Sequence, residues 1–256
     1  MYKRQLITCK NLSLGYEGHT ILKDINFKLD GGEYLCIIGE NGAGKSTLVK
    51  GLLRLKKPMG GSIIPGDNLK HKEIGYLPQQ TMIQKDFPAS VYEVVISGRL
   101  NNLGFRPFYT RKDKEDAVQK MKLMGIYDIK DKCYHDLSGG QQQRVLLARA
   151  MCATKKVILL DEPVAGLDPV VTAELYELIA SINKNMGITV IMVSHDMEAT
   201  LKYASHILYI SNETAFFGTK EEYMKSKGFE KLTAAANRSE AVSYTHLRAH
   251  ETTLHL

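Results

Sequence analysis

Residues 39–46 read Gly39-Glu40-Asn41-Gly42-Ala43-Gly44-Lys45-Ser46, and this stretch decides the fold. It matches the pattern G-x-x-x-x-G-K-[ST] and lies between an apolar run, residues 34–38, and a helical pattern, residues 45–53. Glycines in such a loop permit backbone conformations that point successive N–H groups at phosphate oxygens, and the helix that follows adds the positive end of its dipole. The stretch therefore predicts a phosphate-binding loop between a buried strand and a helix.

The same loop predicts the residues that bind ATP and Mg²⁺. We expect Lys45 to bridge the β and γ phosphates and Ser46 to bind Mg²⁺ through its hydroxyl oxygen. A simple glycine-rich turn is the other interpretation of such a stretch, but the strand before it and the helix after it favour the phosphate loop. The predicted nucleotide-binding residues of this segment are Gly39, Asn41, Gly42, Ala43, Gly44, Lys45, Ser46 and Thr47.

A second apolar run ends in a pair of carboxylates. Residues 157–160 are typical of a buried strand, and Asp161-Glu162-Pro163 follows them. Ligands of α/β sheets bind at the carboxyl ends of the strands. Because side chains alternate in direction along a strand, we expect Asp161 to hold Mg²⁺ through water and Glu162 to act as general base on the attacking water. A surface turn can also read D-E-P, so this prediction depends on the pairing with the phosphate loop.

The stretch Leu137-Ser138-Gly139-Gly140-Gln141 opens a helical pattern over residues 138–152. Ser138 with Gln141 three residues later is a capping box. A capped helix start beside two glycines is also a surface on which a γ phosphate can sit against N–H groups and a hydroxyl. A capping box alone does not call for both glycines, since each glycine lowers helix stability by about 0.5–1 kcal/mol relative to alanine. Both interpretations share one geometry.

The phosphate loop, the LSGGQ stretch and the D-E-P strand end together resemble the nucleotide-binding subunits of ABC transporters, over residues 6–229. The resemblance implies an α/β fold of the P-loop NTPase (RecA-like) type, with a mixed sheet core, an N-terminal antiparallel β-subdomain and an inserted α-helical subdomain. It implies ATP hydrolysis coupled to transmembrane transport, by a homodimer with composite active sites. In such a dimer Ser138, Gly139, Gly140 and Gln141 contact the ATP held by the opposite subunit.

Two further positions before the insertion match the family. Tyr16, in the turn after the first predicted strand, matches the aromatic residue that stacks on adenine, although a strand-end tyrosine can also pack locally. Gln79 matches the glutamine that reaches Mg²⁺ and the attacking water and links the core to the helical insertion. The adjacent Gln80 competes for that assignment.

Two more positions match after the carboxylate pair. Asp168 precedes Pro169 and is a good N-cap, with proline at the first helical position. In the family, residues 165–168 also contact the partner subunit near ATP. Asp168 can therefore cap the helix and take part in that contact. His195 follows the apolar strand predicted at residues 189–193 and matches the histidine that hydrogen-bonds the γ phosphate. A lone histidine is more often structural, but this position after a sheet strand favours the functional interpretation.

The rest of the chain indicates one domain with a helical insertion. Alternation of apolar and polar residues predicts antiparallel strands at residues 6–16 and 21–29, and a further strand is predicted at residues 74–77. Helical patterns at residues 90–97 and 111–124 place the helical subdomain at about residues 80–150. We expect the domain to span residues 1–233, followed by an atypical tail at 234–256, for which non-native read-through is one interpretation.

Composition and charge restrict the function less than the motifs do. The 256 residues carry a net charge of +6, which suits polyphosphate, an anionic membrane surface or nucleic acid, but the basic residues are spread along the chain. The four cysteines are widely separated, which predicts reduced thiols. His246, His250 and His255 crowd the tail, where an H-x-x-x-H pair is a weak signal of a metal site.

The transported substrate is predicted by resemblance alone. Residues 86–99, DFPASVYEVVISGR, resemble the zinc, manganese and iron group of metal-uptake importers. This implies a peripheral ATPase on the cytoplasmic face of the cell membrane, an integral membrane permease as partner, an extracellular metal-binding lipoprotein acting through the permease, and no nucleic-acid partner. Siderophore and cobalamin importers share the E-x-V-x-x-G-R pattern and stay an alternative. A soluble ABC-type ATPase without a permease is the alternative from another class.

Overall fold

The computed structural model describes residues 4–70, 73–79, 88–104, 106–212, 214–226 and 229. Within these residues, no helix has both the length and the apolar character needed to cross a membrane. Gln80, Asp86 and Phe87 lie outside the described residues, as do the tail histidines and the predicted boundary at residue 234. The division into a domain at 1–233 and a tail therefore stays a prediction.

An antiparallel sheet forms the N-terminal layer. Its strands are β1 (Gln5–Tyr16), β2 (His19–Asp30) and β4 (Gly60–Pro65), in the order β2-β1-β4. Both predicted strands are present, and β2 alternates at Ile25, Phe27 and Leu29, which are buried, whereas residues 6–9 of β1 are all buried. Strand β4 was not predicted, since its glycines and proline are residues that strands disfavour.

A six-stranded mixed sheet forms the core. Its strands are β3 (Tyr34–Gly39), β5 (Ile74–Leu77), β6 (Val157–Asp161), β7 (Thr189–Val193), β8 (His206–Ile210) and β9 (Ala215–Thr219), in the order β5-β6-β7-β3-β8-β9. The first five run parallel, and β9 pairs antiparallel with β8. Strands β6 and β7 are buried over their whole length, which explains why they are continuous apolar runs.

The helices surround this core and form the insertion. They are α1 (Lys45–Leu52), α2 (Val91–Ser97), α3 (Leu100–Leu103), α4 (Arg111–Leu123), α5 (Gly139–Ala153), α6 (Pro169–Met186), α7 (Met197–Tyr203) and α8 (Lys220–Met224), with single 3₁₀ turns at Tyr127–Ile129 and Tyr134–Asp136. Helices α2 to α5 confirm an inserted helical subdomain in the described part of the segment between β5 and β6. One apolar cluster packs the insertion onto the core sheet, and a second fills the space under the N-terminal sheet.

An ion network holds the insertion together at the end of α5. Arg99 contacts the buried Asp113 through Nε and Nη2 at 2.9 Å each, and its Nη1 donates to the carbonyl of Cys152 at 3.1 Å. Asn102 donates to the carbonyl of Ala153. These donors satisfy carbonyls at the last turn of α5, where no intrahelical partner is available. The insertion is thereby fixed to the helix that begins at the LSGGQ stretch.

Candidate functional site

The phosphate-binding segment lies at the carboxyl end of β3, where the chain turns into α1. Gly39 has φ +146°, and a Cβ there would lie 1.8 Å from the carbonyl oxygen of Ile210. Gly44 is the N-cap of α1 with φ +98°, and a Cβ there would lie 2.8 Å from Cγ of Leu22. Only glycine fits these two positions. The glycines thus bring the bare backbone of the loop close to β8 and β2, and Gly44 supplies no side chain that would cap the first N–H groups of α1.

Lys45 is buried within this loop. Its Nζ donates to the carbonyl oxygens of Gly39 and Glu40, at 2.8 Å each. Burial lowers the pKa of Lys45, while Glu162 and Asp161 act in the opposite direction. An ammonium carries three protons, so two hydrogen bonds to the loop leave one for a ligand oxygen. The lysine therefore fixes the shape of the loop as well as offering a positive charge beside the two carboxylates.

Asp161 ends strand β6 and is buried. Its side chain keeps only a small exposed fraction, and its Oδ1 has no hydrogen-bond partner among the residues that the structure describes. Burial raises the pKa of this carboxyl, the neighbouring Glu162 raises it further, and the Tyr76 phenol and Lys45 lower it. A buried carboxylate oxygen without a partner is costly unless a cation or a proton supplies one. Hard oxygen donors are what Mg²⁺ prefers, so Asp161 and the exposed hydroxyl of Ser46 fit this ion.

Three predicted catalytic side chains meet at Glu162. Gln79 follows β5, Glu162 follows β6 and His195 follows β7, which are adjacent strands of the sheet. Gln79 Nε2 donates to Glu162 Oε2 at 2.8 Å, and His195 Nε2 lies 2.8 Å from Glu162 Oε1. Glu162 has φ +50°, which is uncommon for a residue with a side chain. Such a conformation at a cluster of polar groups is typical of a functional site, where the surroundings maintain the strain.

Tyr16 lies at the end of β1 with its ring partly exposed. The ammonium of Lys56 lies 3.4 Å from the ring centroid, and Lys50 Nζ donates to the phenol oxygen at 3.3 Å. The Lys50 hydrogen bond lowers the pKa of Tyr16. One face of the ring is therefore covered by a cation, and stacking on adenine would use the other face or displace Lys56. The sequence pattern did not indicate either lysine.

The helix start at Ser138 has the predicted capping box. Ser138 Oγ accepts a hydrogen bond from the Gln141 backbone N–H at 3.3 Å, and Gln141 Oε1 accepts one from the Ser138 N–H at 3.1 Å. The glycines have a packing reason that the sequence did not indicate. A Cβ at Gly140 would lie 2.5 Å from Cγ1 of Val171 in α6, and one at Gly139 would lie 3.1 Å from Cδ2 of Leu167. The close approach of α6 therefore explains why residue 140 is a glycine.

Asp168 caps helix α6, as predicted. Its Oδ1 accepts hydrogen bonds from the N–H groups of Val170 and Val171, at 3.1 and 3.0 Å, and Pro169 occupies the first helical position. The same turn of α6 that packs on Gly140 is thus held by Asp168. The cap fixes the start of α6 against the start of α5.

Of the predicted site residues, the structure brings Gln79, Glu162 and His195 into contact and places Lys45 and Asp161 within electrostatic range of Glu162. The helix start at Ser138 is separate: among the described residues, no hydrogen bond joins residues 138–141 to residues 39–46. Tyr76, which faces the Asp161 carboxylate and whose pKa burial raises to about 12, was missed. Its position in β5, three residues before Gln79, is the signal that could have found it.

Comparisons with known proteins identify the family of this chain. The ABC transporter family model matches residues 22–165, more than half of the chain. The manganese transport system ATP-binding protein of Bacillus subtilis is 36% identical over 224 residues, covering 86% of this chain and 89% of that protein. The zinc uptake system ATP-binding protein of Listeria monocytogenes is 34% identical over 226 residues, covering 86% of this chain and 88% of that protein.

A solved structure also resembles this chain. An inward-facing ABC transporter described as of metal-chelate type has a chain with a TM-score of 0.80 and 27% identity, covering 90% of this chain and 89% of that one. The chain thus has the predicted phosphate-binding loop at the end of β3 and a polar cluster at the ends of β5, β6 and β7. The proteins that it resembles are ATP-binding proteins of transport systems and an ABC transporter. The chain belongs to the ABC transporter family, as an ATP-binding subunit with the ATPase fold of that family.

Proposed function

We propose that this ATPase drives the import of a divalent metal ion, zinc, manganese or iron, and that it hydrolyses ATP at Glu162 between two copies of the chain. The observation that supports the catalytic part is the cluster of Gln79, Glu162 and His195, in which both carboxylate oxygens of Glu162 are held at 2.8 Å. A carboxylate fixed by two partners beside a phosphate loop can receive a proton from a water molecule that attacks the γ phosphate.

Each member of the cluster has a distinct task in this proposal. Glu162 accepts the proton of the attacking water, which contributes about 10²–10⁴-fold to the rate in general-base catalysis. His195 and Gln79 hold the carboxylate in place, and in this proposal both contact the γ phosphate and the water once ATP is bound. Lys45 keeps the loop closed around the phosphates and supplies positive charge to them.

Mg²⁺ fits the residues that flank this cluster. Ser46, Asp161 and Gln79 would hold the ion, and the partnerless Oδ1 of Asp161 is the observation that favours it. When bound, Mg²⁺ neutralises charge on the β and γ phosphates. Asp161 remains ionised beside such a cation despite the burial that raises its pKa.

A second copy is part of this proposal because, among the described residues, the helix start at Ser138 has no hydrogen bond to the phosphate loop of its own chain. The end of α5 packs on Gly75 of strand β5. Strand β5 lies three positions from β3 in the sheet, so the two strands are about 14 Å apart at the usual strand spacing. From Ala150, at that contact, α5 extends about 18 Å back to Ser138. We propose that this capped helix start, with Gln141 and the N–H groups of Gly139 and Gly140, meets the γ phosphate of ATP held by the partner copy.

A groove beside the catalytic cluster suits a segment of the permease. It has a volume of about 580 Å³, and Pro78, Val94, Leu100 and Leu146 give it apolar walls, with Glu93 and Arg149 as charged groups. Pro78 directly precedes Gln79, so an occupant of the groove would press on the residue that contacts Glu162. We propose an apolar segment of the permease as that occupant, which places the chain peripherally on the cytoplasmic face of the membrane.

The metal substrate is proposed from the named relatives, which are a zinc uptake and a manganese transport ATP-binding protein. An extracellular metal-binding lipoprotein would deliver the ion to the permease. The metal-chelate type of the transporter with TM-score 0.80 favours one second candidate, an importer of a chelated metal such as a siderophore complex or cobalamin.

Metal content of a strain lacking the chain tests this proposal. Wild-type chain should restore zinc or manganese accumulation, measured by mass spectrometry of washed cells, and Glu162→Gln should not. Glu221→Gln, which alters an exposed glutamate of α8, is the matched control and should restore it. Full accumulation with Glu162→Gln would exclude the proposed general base. Unchanged zinc, manganese and iron contents with a defect only on chelated metal would select the second candidate.

A further inference from the structure

Tyr176, in the middle of α6, contacts Ser194, the residue before His195. Its side chain is 2% exposed, and its phenol oxygen lies 3.3 Å from Ser194 Oγ, in a buried hydrogen bond. Burial raises the pKa of Tyr176 to about 12. The group is therefore neutral at physiological pH and available for hydrogen bonding.

The two neighbours of His195, Ser194 and Asp196, fix the backbone on either side of it. Ser194 donates its N–H to the carbonyl of Ile37 in β3 at 3.2 Å, and its Oγ accepts the N–H of Asp196 at 3.0 Å. Asp196 in turn caps α7 by accepting the N–H of Ala199 at 2.9 Å. The imidazole itself is partly exposed, and its Nε2 contacts Glu162. Its direction therefore depends on how firmly residues 194–196 are held.

Helix α6, which contains Tyr176, also packs on the start of α5. Five residues before Tyr176, Val171 packs on Gly140 at the start of α5. Asp168 caps the same end of α6. Tyr176 also packs its ring on Tyr203 of α7, with centroids 6.0 Å apart. One continuous helix thus touches the helix start proposed to meet the partner's ATP and the loop that holds His195.

We propose that Tyr176 is a positioning residue for His195, which acts through Ser194 and Asp196 and links the His195–Glu162 contact to the helix packed on Gly140. This inference rests on the role proposed above for His195. Tyr176 touches no substrate atom in this account. It keeps the imidazole aimed at Glu162, so its phenol affects the rate of the chemical step and leaves the binding of ATP unchanged.

Tyr176→Phe tests the proposal, because it keeps the buried ring and the packing on Tyr203 and removes only the hydroxyl. We expect kcat for ATP hydrolysis at 25 °C to fall about fivefold, the equivalent of one net hydrogen bond of about 1 kcal/mol, while KM stays within about twofold. Tyr223→Phe is the matched control. It removes a buried tyrosine hydroxyl that has no hydrogen-bond partner within the described part of the chain, and it should leave kcat unchanged.

A double variant separates positioning from a general loss of stability. In a Ser194→Ala background the phenol has lost this partner, so Tyr176→Phe should lower kcat by less than twofold there. Unchanged kcat in Tyr176→Phe, or an equal loss in both backgrounds, would overturn the proposal. His195→Ala tests the role of His195 separately from the role of Tyr176. If it hydrolyses ATP like the wild type, the role of His195 is wrong; if it is inactive while Tyr176→Phe is normal, only the role of Tyr176 is wrong.

Discussion

Gly140→Ala perturbs the contact between the starts of α5 and α6. The added Cβ would lie 2.5 Å from Cγ1 of Val171, whereas carbon atoms in good contact are about 3.5–4.0 Å apart. The new methyl group points at α6 of its own chain. It would not occupy the N–H side of the helix start, which is where we place the partner's phosphate.

The size of the effect follows from this overlap. Overpacking by one methyl group costs about 1–3 kcal/mol, and alanine returns about 0.5–1 kcal/mol through its better helix propensity. The middle of these two ranges gives a net loss of about 1 kcal/mol, which corresponds to a melting temperature about 2–4 °C lower in a domain of this size. Val171→Ala should cost less, because Val171 is only half-buried, and it should make room for the new Cβ.

The assay compares Gly140→Ala, Val171→Ala and the double variant by thermal unfolding and by Mg·ATP hydrolysis at 25 °C. We expect the double variant to melt within about 2 °C of Val171→Ala and to recover at least half of its ATPase rate, since the strain is gone and the N–H groups remain. A double variant that is stable yet inactive would refute this reasoning and place the need for glycine at the ligand. Wild-type stability of Gly140→Ala would refute the packing argument itself.

Three further perturbations have defined outcomes. Asp168→Ala removes the acceptor of two N–H groups of α6 and should lower the melting temperature by about 2–4 °C, for a cap of about 1 kcal/mol; an unchanged value would mean that water replaces the cap. Hydrogen bonds from Thr110, with a contribution from Arg99, lower the pKa of Asp113 to about 2, which is below its value in the unfolded chain. The ionised carboxylate therefore stabilises the fold above about pH 4, and this stabilisation is lost as the pH falls towards 2. Asp113→Asn should therefore show a smaller loss of melting temperature than wild type over that interval, and identical pH profiles would contradict the assignment. Tyr16→Ala should weaken ATP binding about tenfold in titration calorimetry while Tyr16→Phe keeps it, because stacking needs only the ring; equal affinities of all three proteins would leave Tyr16 as a packing residue.

The elements that carry chemistry were predictable from the sequence, because the chemistry restricts their local conformation. The loop at residues 39–46 needs a strand before it and a helix after it, and both are present. Ser138 and Asp168 were recognised as caps since capping depends on residues two or three positions apart. The family and the ATP-binding fold followed from these local patterns and are confirmed by the relatives.

Features that depend on strand order or on long-range packing were not predictable. Gln79 and Glu162 are 83 positions apart and meet because β5 and β6 are neighbours; the family resemblance assigned both to the attacking water, but no local periodicity encodes their direct hydrogen bond. The packing of Val171 on Gly140 has the same origin. Strands β8 and β9 were also missed, although both contain residues that strands favour, because each has only five residues and no motif marks it. Lys56 was missed since a flexible side chain on an aromatic face leaves no spacing signal.

Complementation between two inactive variants tests the composite site most directly. Lys45→Ala disables the phosphate loop of its own chain, and Ser138→Arg disables the helix start offered to the partner. Each variant alone should be inactive. In an equimolar mixture, heterodimers hold one intact site, so the ATPase rate should rise to about a quarter of the wild-type rate if a two-fold symmetric dimer exchanges its subunits freely. Full activity of Ser138→Arg alone, or no recovery in a mixture shown to contain heterodimers, would contradict the claim that two copies share each site.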